Sequence, residues 1–355
     1  MDPFTQGLFG SMFAQAGARR KHIRPAAAVG LAGGLAPDLD VLIRSSNDSL
    51  LAIEYHRHFT HALAFIPVAA MLVALVVWPL VSRWRPDIKF ARVFVWSLLG
   101  VASHGVLDAM TSYGTRLLWP FSDERIAWNI ISVIDPLFTA PLALLLGLAV
   151  WKQSRKGARI AALWAIFYLA IGTLQQHRAE QIVVHWADNA GIEATRVIAK
   201  PSFANLVLWR GLVDDGERMH IIAVRIVPGR QALVWRGSSV PHYDHDDGHD
   251  NGHDNGHDKR NDKRPGESRI ERDLERFRHF SGDWLFRYYS YDDDSTLFVG
   301  DLRYAIDPAS ARPLWGIRLN PDRPAVPVRF ERPARITESE REAFLDRIMG
   351  RDPRL

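Results

Sequence analysis

The sequence predicts an α-helical multi-span membrane bundle followed by a mainly antiparallel β soluble domain. Up to about Leu174 the chain is dominated by Ala, Leu, Val, Ile, Phe and Trp, in long runs nearly free of charge. Beyond it, charged residues and a two-residue alternation typical of strands take over. Averages over the 355 residues (47% hydrophobic, 24% charged, mean hydropathy -0.10) conceal the division, because an apolar half and a polar half cancel. The boundary falls after residue 176, giving a membrane region at 1–176 and an extramembrane β-rich region at 177–355.

The apolar half is read segment by segment. Residues 62–81 form a 20-residue run without a charged side chain, long enough for a hydrocarbon core of roughly 30 Å. Residues 93–110 carry only His104 and Asp108, and residues 131–151 only Asp135. Residues 160–174 are apolar but short, and residues 25–43 are Ala/Gly-rich with Asp38 and Asp40 near their far end. One such run alone is compatible with a buried core helix; five within 175 residues predict a membrane bundle. A signal peptide does not fit, because the basic cluster follows the first apolar stretch.

Loop charge orients the bundle. Arg19, Arg20, Lys21 and Arg24 precede the first segment, Arg83, Arg85, Lys89 and Arg92 separate the second from the third, and Lys152, Arg155, Lys156 and Arg159 the fourth from the fifth. If all five cross, these clusters share one face, which the positive-inside bias makes cytoplasmic. The loops 44–61 and 111–130 have balanced charge, with Arg44 and Arg57 offsetting Asp48 and Glu54. The net charge of +4 is therefore topological, and no nucleic-acid partner is expected. Zero cysteines exclude disulfide scaffolds, thiol nucleophiles and CxxC zinc or iron–sulfur sites.

This topology gathers the ionisable groups on the non-cytoplasmic side. Asp38 and Asp40 leave the first segment, His56 and His61 precede the second, His104 and Asp108 occupy the outer half of the third, and Asp135 opens the fourth. Charges at membrane depth are costly and mark function unless they pair structurally. His104 and Asp108, four apart, project from one helix face; Pro37 should break the helix and turn Asp38 and Asp40 toward one point. Mixed imidazole and carboxylate donors suit a divalent metal, with zinc foremost. The structural alternatives are a bundle histidine at 104, turn caps at 38 and 40, and a helix cap at Asp135. Thr60, Ser103 and Thr111 read as supporting hydroxyls rather than nucleophiles, since no GxSxG elbow is present.

The motif series makes the chain recognisable: Met-Asp-Pro-Phe-Thr-Gln-Gly (1–7), Leu-Ala-Pro-Asp-Leu-Asp (35–40), His-Arg-His-Phe-Thr-His (56–61), Ser-His-Gly-Val-Leu-Asp-Ala-Met-Thr-Ser-Tyr-Gly-Thr (103–115), Trp-Pro-Phe-Ser (119–122) and Ile-Asp-Pro-Leu-Phe-Thr (134–139). Over residues 1–175 it resembles the YdjM-like family of bacterial inner-membrane, metal-dependent hydrolases. The resemblance implies Asp38, Asp40, His56, His61, His104 and Asp108 as the metal-binding set, with Asp135 as an addition. Gln6 stands where many relatives have His, and His58 where relatives often have a small or amide residue.

In the polar half, residues 205–213, 219–227, 232–236, 284–291, 296–304 and 326–330 read as strands, with Trp209, Trp235, Trp284 and Trp315 as core aromatics. Glu338–Met349 has helical spacing. Residues 242–266 form a low-complexity His/Asp-rich tract with His242, His245, His249, His253 and His257, expected to be a disordered loop that binds metal loosely at most. His177 and His185 are expected to be interfacial.

The function expected is hydrolysis of an amphiphilic ester or phosphoester, drawn from lipid or cell envelope, at the outer interface of the inner membrane. Asp40 or Asp108 would take the proton from water. The rival expectations are a metal carrier or receptor, which would need polar groups continuing to the cytoplasmic side, and a scaffold in which His104 and Asp108 merely pair.

Overall fold

The computed structural model describes residues 1–243, 268–293, 295–333 and 336–352. The metal-binding expectation for His245, His249, His253 and His257 lies outside them. Helix α1 (Pro3–Gly17) is opened by Asp2, whose side chain accepts from the Thr5 amide at 3.0 Å, with Pro3 in the first turn. After a short turn, α2 (Ile23–Leu35) runs back, and the chain tightens into a three-ten turn, Ala36–Leu42, at Pro37. A five-residue helix, α3 (Leu51–Tyr55), and a three-ten turn, Phe59–His61, lead to α4 (Ile66–Trp84), α5 (Phe90–Ala109), α6 (Pro136–Trp151) and α7 (Arg155–Asn189).

Among the described residues, three stretches are long and apolar enough to cross a membrane: Leu63–Trp84, Phe90–Ala109 and Arg155–Asn189. Helix α4 turns Leu72, Leu75, Val76 and Leu80 outward, and α7 does the same with Leu163, Ile166, Phe167 and Leu174. Such apolar exteriors suit lipid. Two expectations change. The segment at 25–43 is not one span: its helix has 13 residues, about 20 Å, because Pro37 ends it. It forms a hairpin with α1, which periodicity missed because α1 is buried on nearly every side and shows no polar face. The segment at 160–174 is the middle of a 35-residue helix, about 50 Å long. Its second half changes from an apolar exterior to a stripe of buried Ala179, Val183 and Ala187, so the chain beyond 176 opens on helix rather than strand.

Backbone contact holds the centre of the bundle. A Cβ on Gly10 would lie 2.4 Å from the Gly30 carbonyl oxygen, and one on Gly100 would lie 2.5 Å from the same atom. Only glycine lets α1, α2 and α5 approach this closely, a packing mode that replaces the absent hydrophobic drive in lipid. At one end the basic turns meet: Arg85 donates to the Lys21 carbonyl at 2.9 Å, and Asp87 lies 2.8 Å from His22 and 3.0 Å from Lys21. Val150, beside the α6–α7 turn, packs on the same cluster as Ala14, Ala18 and Ile23.

At the other end lie two four-stranded antiparallel sheets, each in sequence order. The first holds β1 (Arg196–Pro201), β2 (Leu208–Asp214), β3 (Arg218–Arg225) and β4 (Leu233–Pro241). It packs Trp209, Val213, Ile222 and Val224 against the Ala179–Val183–Ala187 stripe of α7. Helix α8 (Arg269–Ser281) precedes the second sheet, β5 (Leu285–Arg287), β6 (Leu297–Asp301), β7 (Gly316–Leu319) and β8 (Arg329–Glu331), and α9 (Glu338–Met349) follows it. Helix α8 begins with a Ser268–Glu271 capping box, α9 with a Thr337–Glu340 box, and each ends at a left-handed glycine. The second core admits Leu50 and Ile53 beside Phe277, Val299 and Ile317, so the 48–55 segment anchors the sheets to the bundle. Strands β1 and β7 and helix α8 escaped the sequence reading; β1 and β7 are only 6 and 4 residues long.

Candidate metal centre

Asp38 reaches the bundle end on the three-ten turn after α2, His61 on the turn before α4, and His104 with Asp108 on one face of α5. The turn carrying His61 docks because residue 105 is glycine: a Cβ there would lie 2.3 Å from the His61 carbonyl oxygen. The four side chains offer ligand atoms all within 4.8 Å of one another. His61 Nε2 is 2.9 Å from His104 Nε2, 3.2 Å from Asp108 Oδ2 and 3.6 Å from Asp38 Oδ1. His104 Nε2 is 3.4 Å from Asp38 Oδ1 and 3.6 Å from Asp108 Oδ2.

These separations fit a cation. A tetrahedron with metal–ligand bonds of about 2.0–2.1 Å has edges of about 3.3–3.4 Å, and the five distances bracket that value. The ring orientations agree. His104 Nδ1 donates to the Gly34 carbonyl at 2.6 Å, and His61 Nδ1 donates to Thr60 Oγ1 at 2.9 Å; Thr60 in turn donates to Asp40 Oδ2 at 3.2 Å. These bonds assign the proton of each ring to Nδ1 and leave two Nε2 lone pairs confronting one another. Buried Asp38 Oδ2 and Asp108 Oδ2 make no hydrogen bond. Cations already pair with Asp108 from behind, but the two opposed Nε2 lone pairs repel unless a positive charge lies between them.

Asp40 and His56, expected in the same ligand set, stand apart from these four and form a second group with Asp38. Asp40 is 2% exposed and lies behind His61, accepting from the Arg57 amide at 2.9 Å and bonding His56 Nδ1 at 2.9 Å. A carboxylate in that place orients the ring and raises its basicity as a ligand. The His56 side chain, 25% exposed, and Asp38, 15% exposed, form the accessible rim.

Asp135 belongs to neither group. It caps α6, accepting from the Leu137 and Phe138 amides at 3.1 and 3.3 Å, and takes the Tyr168 hydroxyl at 2.8 Å. His58 accepts from Arg116 at 2.5 Å, and burial followed by the Arg116 charge pulls its pKa down. Ser103 donates to the Gly100 carbonyl and takes no part. His177 and His185 lie along α7 away from the centre, with His177 bonding Gln181. His242 pairs with Asp214 at 2.7 Å on the first sheet.

Two residues that the sequence reading left outside the site belong beside it. Arg57, taken as a loop charge, is 3% exposed; its Nε is 3.1 Å from Asp108 Oδ2, and it donates to Thr111 Oγ1 at 2.8 Å. Its φ of 62° is left-handed, a conformation that costs a non-glycine residue about 1–3 kcal/mol and that turns His56 and His58 to opposite sides. Its place inside the 56–61 motif was the available signal. Gln6 donates to Asp108 Oδ1 at 2.8 Å, and the α-amino group of Met1 contacts the same oxygen.

Fold and centre together define an integral membrane protein with a buried His/Asp constellation beneath a β-rich cover. The YdjM inner membrane protein family matches residues 1–179, and the chain belongs to that family. The uncharacterized protein YfhP of Bacillus subtilis is 33% identical over 122 residues, 34% of this chain and 35% of that protein. The inner membrane protein YbcI of Escherichia coli is 34% identical over 121 residues, 32% of this chain and 62% of that protein. The chain thus spans about a third to three-fifths of these relatives. No solved structure matches it.

Proposed function

We propose that this protein is a zinc-dependent hydrolase of an amphiphilic ester or phosphoester, working at the extracytoplasmic interface of the membrane. The observation that carries the reading is the Asp38–His61–His104–Asp108 group, whose Nε2 atoms face each other at 2.9 Å. Two imidazoles and two carboxylates suit zinc, which when bound polarises an ester or phosphoryl oxygen and acidifies water.

The chain's own groups divide the remaining work. Asp108 is committed to Gln6, Arg57 and the four-residue group, so it is poorly placed to accept a proton. Asp40, with three donors upon it, acts through His56: it holds His56 Nδ1 and leaves Nε2 free at the rim to take a proton from water and return it to the leaving group. The meeting of all three basic turns at the far end supports this orientation, since the positive-inside bias favours the cytoplasm for that end. A carrier would need a path between the ends; the glycine contacts of α1, α2 and α5 leave no room for one there.

Elemental analysis of the detergent-purified protein tests the reading together with turnover of chromogenic alkyl esters and phosphoesters. Stoichiometric metal, chelator-sensitive turnover, and loss of both in a folded His104→Ala variant are expected. A metal-free wild type, or bound metal without turnover of any such substrate, overturns it.

A further inference from the structure

A cavity of about 530 Å³ lies where the sheets meet the bundle, walled chiefly by Val133, Ile134, Phe203, Ile306, Leu314 and Trp315. Its volume is that of a small-molecule site. Into it projects Lys200 from β1. Lys200 is 4% exposed, and its Nζ has no hydrogen-bond partner, resting 3.1 Å from the centroid of the Tyr304 ring. Across the sheet its register partner is Arg210, another buried cation. Arg210 spends its donors on the carbonyls of Leu302, Pro308 and Ser310. The neighbouring carboxylates are engaged elsewhere: Asp301 accepts from Arg303 and Trp315, and Asp307 from Arg347.

Two buried cations facing across paired strands, without a free carboxylate between them, are costly. Burial accordingly drives the Lys200 amine well below its usual pKa. An anion in the cavity would restore its charge and complete its hydrogen bonds. Arg303 and Arg332 and the hydroxyls of Ser112, Ser132 and Ser202 also line the wall, while its apolar part continues to the surface, where Ile134 is 45% and Phe203 55% exposed, at the level where α6 begins. Tyr113 is common to both sites: it lines the cavity, while its ring lies 5.5 Å from that of His56 and beneath the Arg57 guanidinium at 4.7 Å.

We infer that this cavity binds an anionic amphiphile, its phosphate or carboxylate head on Lys200 and its alkyl chain running past Ile134 and Phe203 toward the bilayer. The binding stands on its own; that such a ligand is substrate or product of the neighbouring centre rests on the function proposed above.

The test uses the full chain in nanodiscs, titrated calorimetrically with octyl phosphate and octanoate, with octanol and inorganic phosphate as separate arms and empty nanodiscs as blank. One or both alkyl anions should bind saturably at one site per chain, while octanol and inorganic phosphate should not. Lys200→Met should weaken binding at least tenfold. Phe203→Asp, at the exposed mouth, should do likewise and keeps the test decisive should Lys200→Met misfold. Failure of both alkyl anions to saturate overturns the inference, as does octanol or inorganic phosphate binding as tightly, or wild-type affinity in the folded variants. Saturable binding without hydrolysis would remove the proposed function and leave this site. Turnover without binding in the cavity would do the reverse.

Discussion

His61 and His104 each spend one ring nitrogen on a fixed acceptor and aim the other at a common point, which makes the centre a set of directed lone pairs rather than a pool of charge. Asp40 and His56 are separate from it by one layer, and substitution distinguishes the roles. On the function proposed above, His56→Gln should retain bound metal, because the four-residue group is intact, while lowering kcat about 10²–10⁴-fold with a small change in KM; metal analysis beside steady-state kinetics measures both. Loss of metal in that variant would instead make His56 a ligand. The residue types of the centre were readable from sequence because charge is rare within apolar runs. Their division was not, since Asp38 and Asp40 are two residues apart yet serve different neighbours, and only the three-ten turn separates them.

At the scale of elements, short backbone approaches set the geometry. Gly105→Ala inserts a carbon 2.3 Å from the His61 carbonyl, so the turn must move. Overpacking of this kind costs about 1–3 kcal/mol, and thermal unfolding with metal analysis should show lower stability and reduced metal content together. A second element contact is electrostatic. Arg276 of α8 bonds Asp48 at 2.9 Å and Glu54 at 2.7 Å, tying the second sheet to the α3 segment. Burial pushes the Asp48 carboxyl up, but Arg276 outweighs it and holds the pKa below the ordinary value. The stabilisation is therefore present above a pH of about 4, and it fades as pH falls through the lowered folded value. Arg276→Met should cost about 1 kcal/mol near neutrality and progressively less in acid, as denaturant titrations across pH would show; a constant difference would refute the assignment. The apolar runs of α4 and α5 and the helical spacing of α9 were legible in advance. Helix α1 was not, because it exposes Phe4 and Phe13 and buries Thr5, Gln6, Ser11 and Gln15, so it has no contrast between an apolar and a polar face.

Across the whole molecule, polarity is divided between the ends: three basic turns at one, the His/Asp centre with both sheets at the other. The chain has no cysteine, so single replacements report topology directly. In intact cells Asn47→Cys should react with a membrane-impermeant thiol reagent and Arg20→Cys should react only after lysis; the reverse pattern would invert the proposed orientation. The sheets are clamped to the bundle through Leu50 and Ile53 and through the continuation of α7. They therefore roof the centre and, with residues 132–134, enclose the cavity around Lys200.

Composition and the order of motifs alone determined the membrane character and the helical-then-β order and offered the imidazoles and carboxylates as candidates, since each of these follows from local hydropathy or residue chemistry. Tertiary structure decided which of those groups converge, that Arg57 and Gln6 join them, and that Asp135 serves a helix cap. It also decided where Lys200 is buried. Each of these depends on contacts between segments distant in the chain, set by how closely glycine-bearing backbones approach and by which side of a turn a residue faces, and neither is written in any short window of sequence.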